Sequence, residues 1–185
     1  MSDENKILLH ACCGICSGEP ISQLKAVGYT PIVYFCNPNL SSKDEFDKRL
    51  EAQMRVCEYH DVELIVEPYS PSEFINVVQG FESEPEGGKR CTLCFKLRLL
   101  KTAYKAKSLN IRYFTTSLVI SPHKNFQFIT LIGQDIAAHI DELEYVAIDF
   151  KKKDGFLKTN KLSKELNLYR QNFCGCKFSI RGCDY

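Results

Sequence analysis

Short apolar runs alternate with segments of helical periodicity along most of the chain, and this alternation leaves few folds open. The apolar runs predict five strands, at residues 6–10, 31–36, 62–66, 112–116 and 145–150. The segments with helical periodicity predict five helices, at residues 19–27, 43–60, 71–79, 91–107 and 126–140. A βαβα order of this kind predicts an α/β fold, with a parallel sheet that carries helices on both faces.

The chain of 185 residues is close to the length of one domain, so we interpret residues 1–185 as a single α/β domain. Ser17 is the predicted N-cap of the first helix, and Gly28 is its predicted stop. The alternating pattern weakens after Lys151. We therefore treat residues 151–185 as a basic C-terminal extension of the same domain.

The sequence favours a cytoplasmic protein with no membrane partner. Its first ten residues, MSDENKILLH, lack the basic start and long apolar core of a signal peptide. Apolar runs stay well below the roughly 18 residues that a membrane span needs.

Cysteine is the unusual component of the composition, with ten in 185 residues. Three clusters contain most of them: HACCGICS at 10–17, RCTLC at 90–94 and CGC at 174–176. In a reducing cytosol, clustered cysteines favour metal ligation or redox chemistry over structural disulfides. Cys36 and Cys57 lack such spacing and are predicted to be core residues, while Cys183 receives no assignment.

The first two clusters are both predicted to lie at the start of a helix. Cys12 and Cys13 follow the first strand, and Cys91 and Cys94 occupy the first turn of a later helix. An iron–sulfur cluster held by thiolates is anionic and suits the positive end of a helix dipole. A structural zinc ion would also use two cysteine pairs, so the spacing leaves both metals open, with buried inert thiols as a third reading.

The third cluster predicts a different role. A disulfide between Cys174 and Cys176 would close a small strained ring, and strain makes such a bond labile, as an electron relay requires. The alternative is that this pair supplies metal ligands. His10 ends the first strand beside the cysteines and is either a metal ligand or proton donor, or a core histidine.

Basic residues are concentrated although the net charge is only +1: residues 89–124 contain nine Lys or Arg and no acid. Such blocks are compatible with a polyanionic partner. At 100° per residue, one face of the helix from Cys91 carries three cations on the side of Cys94: Arg98, Lys101 and Lys105. Four other residues form an apolar stripe that we expect to pack on the sheet: Leu93, Leu97, Leu100 and Tyr104.

Elsewhere, Glu45 and Arg49 stand one helical turn apart and predict an exposed ion pair.

Several motifs together resemble one known family. HACCGICS, FCNPN, RCTLCFKLRL, FTTSLVISPHKN and LYRQNFCGCKFS resemble, in this order, the epoxyqueuosine reductases of the QueH type, from about residue 6 to residue 179. The resemblance implies a HUP-like fold, akin to the ATP pyrophosphatases of the PP-loop class. It also implies a [4Fe–4S] cluster, an adjacent iron ion and a redox-active disulfide. The implied reaction removes the epoxide oxygen of epoxyqueuosine in tRNA and leaves queuosine and water.

The resemblance assigns roles by position. The implied cluster ligands are Cys12, Cys13, Cys91 and Cys94, and the implied disulfide joins Cys174 and Cys176. Cys16 is the first candidate ligand for the adjacent iron, and His10 is the second.

The implied partners are a tRNA that carries epoxyqueuosine in its anticodon loop and an electron donor. The cations of the predicted helix face would then track tRNA phosphates. The sequence departs from the family pattern at Ile15, Cys36 and His123, where proline, tyrosine and tyrosine are usual.

Two other classes remain open beside the reductase. A PP-loop tRNA-modifying enzyme should carry its phosphate loop, SGGxDS, at residues 12–17, where CCGICS stands instead. A zinc-stabilised RNA-binding module without catalysis would need neither the C-x-C pair nor an iron ion. Metal analysis of anaerobically purified protein distinguishes the three.

Overall fold

The computed structural model describes residues 5–179 and contains one parallel sheet of five strands. The strands are β1 (Lys6–Ala11), β2 (Thr30–Phe35), β3 (Leu64–Val66), β4 (Tyr113–Thr116) and β5 (Glu144–Tyr145). Their spatial order is β3-β2-β1-β4-β5, and each pairing is parallel. The predicted α/β class is confirmed, and the architecture is HUP-like.

Six helices connect and cover the strands. They are α1 (Gly14–Ala26), α2 (Lys43–His60), α3 (Pro71–Val77), α4 (Lys89–Ser108), α5 (Phe126–Ala138) and α6 (Gly155–Glu165). Helix α1 packs on α2 and α6, while α4 packs on α3 and α5. Because parallel crossovers are right-handed, these two groups lie on opposite faces of the sheet. Within residues 5–179, no helix combines the length and apolar character that a membrane span requires.

The central strand is buried on both faces, as expected for a parallel sheet covered by helices. Ile7, Leu8 and Leu9 of β1 have no exposed surface, and neither has Phe114 of the neighbouring β4. The core therefore fixes the position of the carboxyl end of β1, where the first cysteine cluster begins.

The start of α1 differs from the prediction. The helix begins at Gly14, with Cys13 as its N-cap, so Ser17 is an internal residue. The Ser17 hydroxyl lies 3.0 Å from the carbonyl oxygen of Gly14 and 3.0 Å from Oε1 of Gln53 on α2. Contact with α2 thus accounts for a serine that looks like a cap in the sequence.

Two predictions for the last third of the chain need correction. The strand predicted at 145–150 is only Glu144–Tyr145, which pairs with Tyr113 and Phe114 of β4, and at the next position the side chain of Thr115 donates to the carbonyl oxygen of Val146. The stretch after Lys151 contains helix α6, which packs on α1. Its buried positions, Gly155, Thr159 and Ser163, are small or polar, whereas its large apolar residues Phe156 and Leu157 are exposed, so its apolar residues do not mark the buried face.

Candidate metal and redox site

The first cysteine cluster lies where the sheet topology reverses. Strand β1 stands between β2 and β4, and the chain leaves β1 towards β2 while β4 leads to the opposite edge. In open α/β sheets, the crevice at the carboxyl ends of the strands beside such a switch point binds ligands. Cys12 and Cys13 follow directly after β1 and therefore stand in this crevice.

Three thiols converge there. The Sγ atoms of Cys12, Cys13 and Cys16 lie within 4.8 Å of one another, and those of Cys12 and Cys13 are 3.8 Å apart. A tetrahedral site with metal–sulfur bonds of about 2.3 Å places two sulfurs roughly 3.8 Å apart. Thiols are soft donors that suit zinc or iron–sulfur centres. These three cysteines form a cluster that can bind a metal.

The three thiols strongly affect one another's pKa. Hydrogen bonds from Cys13 and Cys16 lower the pKa of Cys12 well below its usual value, and the charges of Lys124 and Arg98 lower it further. Donation to Cys12 raises the pKa of Cys13 to about 11 and that of Cys16 well above its usual range. In addition, the Gln171 side chain donates to Sγ of Cys13 at 3.0 Å.

A buried arginine of α4 contacts the end of β1, and its position corrects a prediction. Arg98 is 2% exposed, so the expectation that it lies on an exposed phosphate-tracking face of α4 is wrong. Nε of Arg98 lies 3.2 Å from Nε2 of His10, and Nη2 of Arg98 donates to Oδ1 of Asn37 at 2.7 Å. Burial would lower the pKa of Arg98, but the charges of Cys94 and Cys12 raise it overall.

His10 is packed into the end of the sheet. Its Nδ1 lies 2.8 Å from Oγ1 of Thr116, and its Nε2 lies 3.0 Å from the carbonyl oxygen of Cys36. Burial and the charge of Arg98 lower its pKa to about 3, so the ring is neutral. Both ring nitrogens face protein groups, which matches the alternative of a core histidine.

Helix α4 presents the second cysteine pair. It begins at Lys89, so Cys91 lies in the first turn, as predicted, and Cys94 lies in the second. Burial raises the pKa of Cys94 to about 12, and the charges of Cys174, Cys176 and Cys91 act in the same direction. The backbone N–H of Gly87 donates to Sγ of Cys91 at 3.2 Å.

The CGC segment, by which we mean residues 173–176, lies against α4. Cys176 is buried and packs with Cys94, Phe74 and Val78, while Cys174 is half-buried. All of the cysteines in the described part of the chain are free thiols, including this pair. The structure therefore shows two groups of thiols, Cys12–Cys13–Cys16 and the cysteines of α4 with the CGC segment, with the charge of Arg98 acting on both.

Comparison with known proteins decides the family. The family model described as epoxyqueuosine reductase QueH matches residues 7–182. The chain belongs to the epoxyqueuosine reductase QueH family. It is 39% identical to the QueH of Streptococcus pyogenes serotype M1, over 95% of this chain and 70% of the relative. The QueH of Acinetobacter baylyi is 34% identical, over 96% and 81%. The QueH of Thermotoga maritima is 32% identical, over 94% and 90%.

Membership of the QueH family makes the chain an oxidoreductase, and the cysteine cluster at the end of β1 is consistent with a metal cofactor.

The structure corrects the predicted faces of α4. The residues that turn towards the sheet are Arg98, Leu99, Thr102, Ala103 and Ala106. Tyr104, predicted to pack on the sheet, is 60% exposed.

The remaining cations of the predicted α4 face differ in their surroundings. Lys101 forms ion pairs with Glu67 at 2.9 Å and Glu73 at 2.7 Å. Lys105 is half-buried, and its charge contributes to lowering the pKa of Glu67. Two acids therefore neutralise the middle of this face, which the periodicity of α4 alone does not reveal.

The structure adds Lys124, which sequence reasoning missed. Burial would lower its pKa, but the charges of Cys12, Cys174 and Cys16 raise it overall and favour its protonated form. Lys124 also lines an open cavity of about 500 Å³, together with His123, Asn125, Asp149 and Lys151. The segment SPHKN between β4 and α5 was the available signal, because it follows a strand at the ligand side of the sheet.

Proposed function

We propose that this chain reduces epoxyqueuosine to queuosine in tRNA, and one observation carries the proposal beyond family membership. The guanidinium of Arg98 is buried against His10 and Asn37, and within residues 5–179 it has no carboxylate as a hydrogen-bond partner. A buried cation needs a compensating negative charge. A thiolate-bound iron–sulfur centre would supply that charge on the side where the charges of Cys12 and Cys94 act on Arg98.

The proposed assignments follow from these positions. We assign Cys12 and Cys13 at the end of β1, with Cys91 and Cys94 on α4, as ligands of a [4Fe–4S] cluster. Cys16 is the proposed ligand of an adjacent iron ion. His10 is a weaker candidate, because both of its ring nitrogens are engaged by protein groups. When bound, these centres supply electron transfer and polarisation of the epoxide oxygen.

The chain's own groups match the stoichiometry of the reaction. Removing the epoxide oxygen as water consumes two electrons and two protons. Oxidation of the Cys174–Cys176 dithiol to a disulfide releases two electrons and two protons, so one dithiol balances one turnover. An electron donor must then return the disulfide to the dithiol. We assign Lys124 to hold a proton or an anionic oxygen at this site, because the charges of the thiols favour its protonated form.

Metal and sulfide analysis of anaerobically purified protein, combined with a single-turnover assay on epoxyqueuosine-containing tRNA, tests the proposed function. We expect about four irons and four sulfides in the cluster and one further iron, in a protein that forms queuosine. Stoichiometric zinc without sulfide, in a protein that binds tRNA but leaves the epoxide intact, would instead support a zinc-stabilised RNA-binding module. Epoxide reduction that requires ATP would support the PP-loop alternative.

We further propose that the anticodon nucleotide reaches the thiols through the cavity beside Lys124. A modified base must leave the RNA stack to meet a buried centre, and this cavity shares Lys124 with the thiol site. Lys151 lines the same cavity and donates to the carbonyl oxygen of Lys124 at 3.1 Å. A tRNA substrate also places the protein in the cytoplasm.

Replacing Lys151 with glutamine should weaken tRNA binding. It should also reduce the steepness of the plot of log affinity against log salt concentration by roughly 0.7–0.9, the amount for one phosphate contact. The affinity is measured at several salt concentrations. Lys152→Gln is the matched control, because Lys152 is exposed and does not line the cavity. If Lys105→Gln lowers the slope and Lys151→Gln does not, the α4 face holds the RNA instead.

A further inference from the structure

Helix α2 holds the CGC segment through the side chain of Arg49. Its Nη1 donates to the carbonyl oxygen of Cys174 at 3.2 Å, and its Nη2 donates to that of Phe173 at 3.2 Å. The guanidinium also lies over the Phe173 ring, 5.6 Å from its centroid. One side chain therefore contacts two successive carbonyl groups and an aromatic ring of this segment.

Arg49 is itself held in place by Glu45. Nε of Arg49 donates to Oε1 of Glu45 at 2.6 Å, and the hydroxyl of Tyr169 donates to Oε2 of Glu45 at 2.8 Å. Arg49 is 2% exposed and Glu45 is 5% exposed, so the predicted exposed ion pair is wrong. Burial of a charge pair adds little net stability, because the desolvation cost offsets the attraction. The contact of Arg49 with the CGC segment indicates that the pair positions this segment rather than stabilises the fold.

The backbone at Gly175 fits the same contact closely. Gly175 has a φ of +113°, and its carbonyl oxygen accepts from the backbone N–H of Ser41 at 2.9 Å. A Cβ atom at this position would lie 2.5 Å from Cδ2 of Leu40 and 3.0 Å from Nη2 of Arg49. The segment is therefore pressed against both α2 and the loop before it, in a conformation that favours glycine.

On its other side, the segment presents its thiols to α4. Cys176 packs with Cys94 in a small cluster completed by Phe74 and Val78. Cys174 interacts electrostatically with Cys91 and Cys94. The segment therefore has Arg49 of α2 as one neighbour and Cys94 of α4 as another.

We propose that the Glu45–Arg49 ion pair positions the CGC segment and sets the equilibrium between its dithiol and disulfide forms. The inference rests on the proposed redox role of Cys174 and Cys176. Both are free thiols in the structure, so the bonds from Arg49 stabilise the dithiol form. Closing the disulfide draws the two sulfurs together and forces the backbone of this short ring to turn. The carbonyl groups that Arg49 holds must then move.

The equilibrium is measured on cluster-loaded protein in anaerobic buffers with fixed ratios of reduced to oxidised dithiothreitol. In this exchange, the reagent gives two electrons and two protons to the disulfide and closes its own ring. Trypsin then cleaves after Arg170 and Lys177 and releases residues 171–177, whose only cysteines are Cys174 and Cys176. Differential alkylation of this peptide gives the ratio of disulfide to dithiol. Hydrogen exchange of the same residues reports positioning without reference to function.

Arg49→Met should raise the ratio of disulfide to dithiol about tenfold at a given buffer composition, because two charge-assisted hydrogen bonds to the dithiol form are lost. Hydrogen exchange at 173–176 should become faster. Arg49→Lys should shift both readouts in the same direction but less, because it keeps the charge and one donor group. If Arg49→Met does not fold, the disulfide ratio and the hydrogen exchange of Arg49→Lys test the inference instead. Lys43→Met, an exposed position on the same helix, is the matched control and should change neither readout.

An unchanged ratio and unchanged exchange in both Arg49 variants would overturn the inference. A failure of the redox role itself has a different signature, because a Cys174→Ser, Cys176→Ser double variant would then sustain multiple turnovers at the normal rate. Faster exchange in the Arg49 variants with an unchanged ratio would reduce the ion pair to a structural contact and would also overturn the proposed effect on the equilibrium.

Discussion

Replacing Cys12 with alanine is expected to remove the iron–sulfur centre and to lower reductase turnover by more than about 100-fold. Loss of a residue that only hydrogen-bonds to a metal ligand typically costs about 10- to 100-fold, and loss of the ligand itself should cost more. Cys12 provides the most acidic thiol of the site, since Cys13 and Cys16 both donate to it and Lys124 and Arg98 add positive charge. We expect the same loss for Cys13, Cys91 and Cys94. The measurement is iron and sulfide content, with absorbance near 400 nm, after anaerobic reconstitution.

Serine substitutions at Cys174 and Cys176 form the matched comparison. If this pair is the redox relay, the serine variants retain iron and sulfide but lose multiple turnovers with the same reductant. Loss of iron in these variants would mean that the CGC segment supplies ligands. Full iron and sulfide content in Cys12→Ala would contradict the assignment of Cys12.

Replacing Gly14 with alanine is expected to destabilise the protein by about 3 kcal/mol. A Cβ atom on Gly14 would lie 2.3 Å from the carbonyl oxygen of Ala52 and 2.5 Å from its carbonyl carbon, both backbone atoms of α2. Neither atom can yield without moving the helix, and the clash outweighs the roughly 1 kcal/mol that alanine gains over glycine in a helix. The free energy of unfolding of the metal-free protein in urea measures the effect.

Gly18→Ala is the control on the same helix. A Cβ atom there would lie 2.4 Å from Cδ2 of Leu162, which is the end of a flexible side chain and can rotate away. We expect its effect to stay within about 1 kcal/mol, because the end of the Leu162 side chain can move away from the added methyl group. Equal losses in the two variants would show that the approach of α1 to α2 at Gly14 is not the tight contact that we infer.

The sequence predicted the elements with strong periodicity and failed where packing against other elements decides. Helix α2 begins at Lys43 and ends at His60, as predicted, because its apolar period is regular and Ser42 caps it. The sequence predicted less well which helix faces are exposed. The ion pair of Glu45 and Arg49 looks like a solvated pair on a helical wheel, but Tyr169 and the CGC segment, more than 100 residues away in the sequence, cover it.

The sequence by itself determined the α/β class, the family and the three cysteine clusters, because these depend on the period of local patterns and on spacing within short motifs. Only the tertiary structure decided which face of α4 is buried, that Arg98 is buried against His10 and Asn37, and that Arg49 contacts the CGC segment. A local pattern reports which residues share a face of one element. Which neighbour covers that face depends on how the chain returns across the sheet, and that information lies in contacts between distant residues.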